Sequence, residues 1–476
     1  MKPCRIVNVV ACVPVYFWGI VEAGYGLMQV LGWRVSHHPL FALTGHFNNP
    51  GPFGGFIACA MAVAVGWLMR FPVEQGMTAR VPGMTNLKRG MRVLAWVTLG
   101  MGMLVLPASM SRAGWLALAV ALAIEALRMP QVREWTRKHR WMIPMGSIGV
   151  LALLAGMFLL KKESALGRLH IWRMEFRAIA ARPWIGAGPG MGPWAYGEAQ
   201  EAFFREHLET TSPAVVRVAG CPEYAFNEFL GIGMEYGVPG VLLSVLLMVA
   251  SIVVLSKARS PFSAGLTAWA VFACASYPLS VPQLRILGAG FLVVAMVAGI
   301  LQVRSWRVGI LPVAAAVLLV GWMMRFPVEP GMTKQEPGMT ALRSGMTERE
   351  DFRAVYAQGY ALHQAGRYEE STALLERGAR MSCDPMFEII MGKNAEALGE
   401  NARAEAFYEK AHYMVPSRLY PLVRLMRLQI RTGRNQEALQ TAQRIAAMPV
   451  NERHAGMVRL RKETLSSLDS LKNMAQ

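Results

Sequence analysis

Val238–Leu255 (VPGVLLSVLLMVASIVVL) runs for eighteen residues without a charge. That is close to the roughly 20 apolar residues a helix needs to cross a bilayer. Glu235 precedes the run and Lys257 and Arg259 follow it. Similar runs lie at Val9–Leu31, Pro52–Met69, Val93–Leu106, Trp115–Leu127, Trp141–Leu160, Gly265–Leu279, Ile286–Val303 and Val308–Met324. Backbone groups in lipid must bond within their own segment, so each run is read as a helix. The expected fold is all-α: a polytopic transmembrane bundle of about nine spans, followed by a helical solenoid.

Composition agrees. Of 476 residues, 54% are hydrophobic and only 17% charged, with mean hydropathy +0.30. Soluble domains carry about 25% charge. The net charge of +18 would suit a nucleic-acid binder, but the cations sit in short loops, which argues for membrane orientation and no nucleic acid. Lys2 and Arg5, then Arg70, Arg80, Lys88, Arg89 and Arg92, then Arg128, Arg133, Arg137, Lys138 and Arg140, then Lys257 and Arg259, then Arg304 and Arg307 all fall on one side of a nine-span thread. The opposite short loops hold Arg34, Arg112 and Arg285. The positive-inside rule puts the N-terminus in the cytoplasm and the loop Lys161–Asn227 and the C-terminal tail outside, in the periplasm of a bacterial inner-membrane protein. No cleavable signal peptide is expected, because the first apolar stretch is too long.

Two repeats stand out. Gly66–Met91 recurs as Gly321–Met346 at an offset of 255 residues, with 18 of 26 positions identical. The copies fall on opposite sides of the membrane, so a duplicated inserted element explains them better than a shared binding motif. The second repeat is structural. Gly366, Gly399 and Gly433 are 33 and 34 residues apart, and Ser371, Ala404 and Ala438 follow each by five. This is tetratricopeptide spacing, giving helical hairpins near Asp351–Pro385, Met386–Arg418 and Leu419–Pro449 and a capping helix at Glu452–Asp469. The expected division is a membrane domain at 1–324 with its long loop at 161–227, a linker at 325–350, and a repeat domain at 351–476 that binds a protein or peptide or acts as a spacer.

The six cysteines form no CxxC and no zinc-ligand spacing, so no metal or cofactor is expected. Cys4, Cys12, Cys59 and Cys274 lie in or beside apolar runs. Cys221 and Cys383 share the outer compartment, where a disulfide is one option.

Chemistry-bearing residues gather on the outer side. Leu169, Trp172, Phe176 and Ile179 form an apolar stripe on one helix, with Arg173 and Arg177 on another face. The helix suits a membrane surface, and its arginines meet either a lipid pyrophosphate or ordinary anionic headgroups. Gly186, Gly188, Gly190 and Gly192 form either a phosphate cradle or a plain turn; with no preceding strand and no Gly-Lys-Ser/Thr, a nucleotide loop is excluded. Arg112 opens a span. A charge there is either functional or snorkelling to the interface, and a guanidinium suits bidentate phosphate contact. Glu223, Asn227, Glu228 and Glu235 gather at the mouth of another span, as a general base or as ordinary acids in a first helical turn.

Phe47–Ala58 (FNNPGPFGGFIA), Ser111–Leu118 (SRAGWLAL), Gly167–Gly192 and Ala225–Gly240 together resemble the O-antigen ligase family, across roughly Val35–Val303. The resemblance implies a metal-independent glycosyltransferase. Its donor is a glycan on undecaprenyl pyrophosphate, and its acceptor is a hydroxyl of lipid A-core or of a protein. Arg112 and Arg168 would grip the pyrophosphate. Phe226 stands where many ligases carry histidine, leaving Glu223, Glu228 and His207 as candidate bases. A repeat-unit polymerase and an inactive membrane scaffold are the alternatives.

Overall fold

The computed structural model describes residues 2–71, 82–141, 162–302, 352–448 and 455–475, with the short pieces 145–146, 149 and 156. Most of the span expected at Trp141–Leu160, the span at Val308–Met324, the linker at 325–350 and the second inserted copy lie outside the described residues, as do residues 72–81 of the first copy. The described residues are helical, without strands.

Two compact units divide the chain. The first comprises Met1–Met157, Phe226–Phe229 and Leu242–Ser344; the second comprises Phe158–Ala225, Leu230–Val241 and Gly345–Gln476. Loop residues 162–225 and the tail fall in the second unit.

In the first unit, α1 (Lys2–Val30), α2 (Pro50–Arg70), α3 (Pro82–Ala108) and α4 (Arg112–Leu127) are followed by the short α5 (Pro130–Lys138). After the outer loop, with its helices α6 (Lys162–Ala181), α7 (Gly192–His207) and α8 (Pro213–Val218), come α9 (Glu228–Lys257), α10 (Phe262–Ala273) and α11 (Pro282–Gln302). Among the described residues five helices are long and apolar enough to cross a membrane: Ile6–Val30, Pro50–Arg70, Asn86–Ala108, Glu228–Lys257 and Pro282–Leu301. A sixth candidate is α4 with α5, which meet at 89°. The span expected at Gly265–Leu279 is shorter than its apolar run. Helix α10 has 12 residues, about 18 Å at the α-helical rise, and it packs against α2 and α4. The chain then turns through Ser276–Pro278.

Small residues let these helices approach closely, as membrane interfaces require. Ala58, Ala60, Ala62 and Ala64 are all buried on α2. A Cβ on Gly54 would lie 2.3 Å from Ser111 Cβ, and one on Gly114 would lie 2.7 Å from the Gly54 backbone. Helices α2 and α4 thus touch backbone to backbone at their N-terminal ends. At their other ends Glu125, buried, accepts from Arg70 at 2.7 Å, from Ser263 Oγ at 3.1 Å and from Arg128.

In the second unit the tail forms three antiparallel hairpins: α12 (Phe352–Gln364) with α13 (Tyr368–Ala379), α14 (Met386–Ala397) with α15 (Asn401–Met414), and α16 (Tyr420–Arg431) with α17 (Asn435–Ala447). A last helix, α18 (Ala455–Ala475), packs on α17. Each hairpin turns at one of the three glycines singled out by period, Gly366, Gly399 and Gly433, with φ of 77°, 80° and 76°. That left-handed conformation favours glycine. Helix α7 of the outer loop packs on α15, and a disulfide joins Cys221 to Cys383. Gln200 reinforces the junction, donating to Gly220 O at 3.0 Å and Met414 O at 2.5 Å and accepting from Tyr196 at 2.7 Å.

Candidate functional site

One end of the first unit gathers the N-termini of α2 and α4. Asn49 caps α2, its Oδ1 accepting from Gly51 N at 2.9 Å, and Pro50 opens the helix. Ser111 caps α4, accepting from Gly114 N at 3.3 Å. The Ser111 hydroxyl also donates to Gly51 O at 2.9 Å, tying the two helix starts together. Arg112 is the first residue of α4 and is half-buried. Residue 112 therefore begins the positive end of a helix dipole, an end that attracts anions.

The start of α9 lies in the same unit. Asn227 Oδ1 accepts from Phe229 N at 3.0 Å, making a local turn. Glu228 is buried and accepts from Leu279 N at 2.6 Å, so this candidate base fastens the turn that follows α10. Phe226 sits edge-on to Tyr277, with ring centroids 5.5 Å apart.

The other candidates belong to the second unit. Helix α6 buries His170, Met174, Glu175 and Ala178 against α7 and α8. Burial pushes the His170 imidazole down, opposed by its hydrogen bond with Gln200 at 2.9 Å. Of the expected apolar stripe, Leu169 and Phe176 remain exposed, at 51% and 59%. Arg168 is half-buried, while Arg173 and Arg177 are exposed. The latter pair stacks on one ring, their guanidinium carbons 4.7 Å and 5.2 Å from the Phe203 centroid. Glu223 pairs with Arg353 of the tail. His207 stacks on Phe203, its Nδ1 3.2 Å from Phe203 O.

The glycine-rich turn takes the plain-turn reading. Ala187 N and Gly188 N donate to Met234 O and Glu235 O at 2.7 Å and 3.0 Å, so they are committed to α9 and not to a phosphate. The approach is close on both sides. A Cβ on Gly186 would fall 2.4 Å from the Glu235 carbonyl carbon, and one on Gly237 would fall 2.5 Å from Pro183 O. Gly237, at φ 68°, also kinks α9.

The sequence reading missed two features. Arg285, counted there only as a loop charge, is 2% exposed in the first turn of α11. Glu22, inside the first apolar run, meets His46 at 3.2 Å. The available signal was a carboxylate within an apolar run with a histidine in the next loop. Among the described residues no three His, Cys, Asp or Glu side chains are grouped to hold a metal.

A family model described as O-antigen ligase matches residues 96–245. The match contains the SRAGWLAL, Gly167–Gly192 and Ala225–Gly240 segments and leaves out FNNPGPFGGFIA. No curated protein and no solved structure matches the chain.

Proposed function

We propose, from the O-antigen ligase family membership of residues 96–245, that this multi-pass membrane protein transfers a glycan from undecaprenyl pyrophosphate to an acceptor hydroxyl of lipid A-core or of a protein. The reaction runs at the outer face of the inner membrane. The observation that carries the reading is Arg112 at the first position of α4, held in place by the Ser111–Gly51 hydrogen bond and the Gly54–Gly114 contact. A preorganised cation at a helix N-terminus stabilises the negative charge that grows on a departing pyrophosphate. Arg168 is the second proposed ligand of that headgroup, and Arg173 and Arg177 contribute to headgroup attraction. The Cys221–Cys383 disulfide supports an oxidising, extracytoplasmic setting for the outer loop and tail. The helical hairpins of the tail are proposed as a tetratricopeptide-like surface for an envelope protein or peptide.

Arg112→Ala is expected to abolish glycan transfer at normal membrane abundance, and Arg112→Lys to retain a small part of it. Full activity of Arg112→Ala and Arg168→Ala would overturn the assignment. A knockout read by glycan ladder gel and glycoprotein stain separates the acceptors. Loss of long chains with single repeats retained would instead favour a repeat-unit polymerase, while a phenotype confined to deletion of the tail would favour a scaffold.

A further inference from the structure

We infer that His46, oriented by Glu22, is the base that takes the proton from the acceptor hydroxyl; this rests on the glycan-transfer reading above. Glu22 lies on α1 inside an apolar run, and its side chain is 4% exposed. A carboxylate so placed is costly unless donors surround it. Trp18 Nε1 donates to it at 3.3 Å, and the His46 backbone N–H donates at 3.2 Å. His46 Nδ1 stands 3.2 Å from both carboxylate oxygens.

The loop is built to deliver that imidazole. Gln29 Oε1 accepts from Thr44 N at 2.9 Å and from Gly45 N at 2.8 Å. Gly45, at φ 60°, passes so close that a Cβ would lie 2.4 Å from the Phe53 ring and 2.9 Å from Glu22 Oε2. The Tyr25 ring stacks on His46 at 3.9 Å. The ionisable groups facing His46 are thus Glu22 and Tyr25 of α1, with His37 of its own loop also stacked on Tyr25; Phe53 of α2 lies against Gly45. Although Glu22 is buried, the His46 side chain is 45% exposed.

This is the arrangement of a carboxylate-oriented general base. A carboxylate on Nδ1 fixes the tautomer with Nδ1–H donating, which leaves the Nε2 lone pair for a proton. The position suits the reaction as well. His46 is three residues before the Asn49 cap, and the cap region is bonded through Gly51 to Ser111, the residue before Arg112. Base and pyrophosphate-binding cation therefore share one end of the first unit. The rival candidate Glu228 is occupied with Leu279 N, and Phe226 supplies no titratable group.

In the step, the acceptor oxygen forms its bond to the anomeric carbon while its O–H bond breaks and the proton passes to His46 Nε2. The anomeric C–O bond breaks, and its electron pair leaves with the lipid pyrophosphate held by Arg112. Water then removes the proton from His46. Glu22 is a positioning residue and does not touch substrate.

The test uses the purified full chain in nanodiscs with a lipid-linked oligosaccharide donor, measuring turnover and donor binding separately. His46→Ala is expected to lower kcat about 100-fold or more, the usual contribution of a general base, with donor binding unchanged and turnover partly restored by free imidazole. Glu22→Gln should lower kcat with little change in KM. Turnover of His46→Ala within about threefold of the parent, or a loss that imidazole does not relieve, overturns the base while glycan transfer by the parent still stands. A parent that transfers no glycan overturns both.

Discussion

The two units solve the same problem, holding helices together, by different means, because their surroundings differ. In the first unit the long helices are apolar on most faces, and lipid offers no hydrophobic incentive for them to associate. Close contact through Gly54, Gly114 and the alanines of α2 supplies dispersion, and ionic clusters at the helix ends supply specificity. Glu125 is held by two guanidiniums, Arg70 and Arg128, and by Ser263, whereas Glu22 accepts from Trp18 and the His46 backbone and has for its ionic partner an imidazole that remains half-exposed. In the second unit the helices are short and polar on one side, so water drives their apolar faces together. A disulfide and the Gln200 hydrogen bonds fix outer loop to tail. The contrast teaches that a buried charge in the first unit is either locked or presented, while most charges of the second are solvated.

The comparison can be broken first at Glu125. Glu125→Ala leaves Arg70, whose side chain is 12% exposed, without its carboxylate. Breaking a buried ion pair costs about 3–5 kcal/mol, and thermal melting in detergent would read that loss. Glu22→Gln should leave melting nearly unchanged, because an amide oxygen still accepts from Trp18 and His46; equal losses at both glutamates would erase the distinction. Next in size, Cys383→Ser should cost the second unit about 2–4 kcal/mol. Non-reducing gel mobility of the parent would change on reduction, and that of the variant would not.

Acid offers a smaller perturbation. Burial, helped by Arg444, holds His412 down at about 3, against an ordinary imidazole value of about 6.5. Between those values the unfolded chain binds a proton that the folded chain does not. Stability is therefore kept above about pH 6.5 and lost as pH falls, by about 2 kcal/mol at pH 5. His412→Leu should show a flatter dependence in melting scans from pH 7 to pH 5, and an identical slope would refute the assignment. The least effect is expected from Arg367→Ala. Its pair with Glu370 is exposed, so melting should not move measurably.

Much of this was legible beforehand. The hairpin turns fell at Gly366, Gly399 and Gly433 because a left-handed turn repeating every 33 or 34 residues leaves a periodic mark in the chain. Arg112 was read as opening a span, and it is the first residue of α4, because the Ser111 cap depends on neighbours in sequence. The Gly186–Gly192 turn left two readings open, because only the partners of its amides, Met234 and Glu235, distinguish a cradle from a turn. Arg173 and Arg177 were rightly placed one helical turn apart, but the ring they share, Phe203, lies on another helix.

What the sequence determined by itself is local or periodic: the apolar helices, the glycine period of the tail and the alternation of loop charge. Each follows from residues close in the chain, or from a solvent that acts on every segment alike. What only the tertiary structure decided is which distant residues meet: Glu22 with His46, Glu125 with Arg70 and Ser263, and Cys221 with Cys383. Such pairings depend on how helices cross, and crossing is set by side-chain shapes that no spacing rule records.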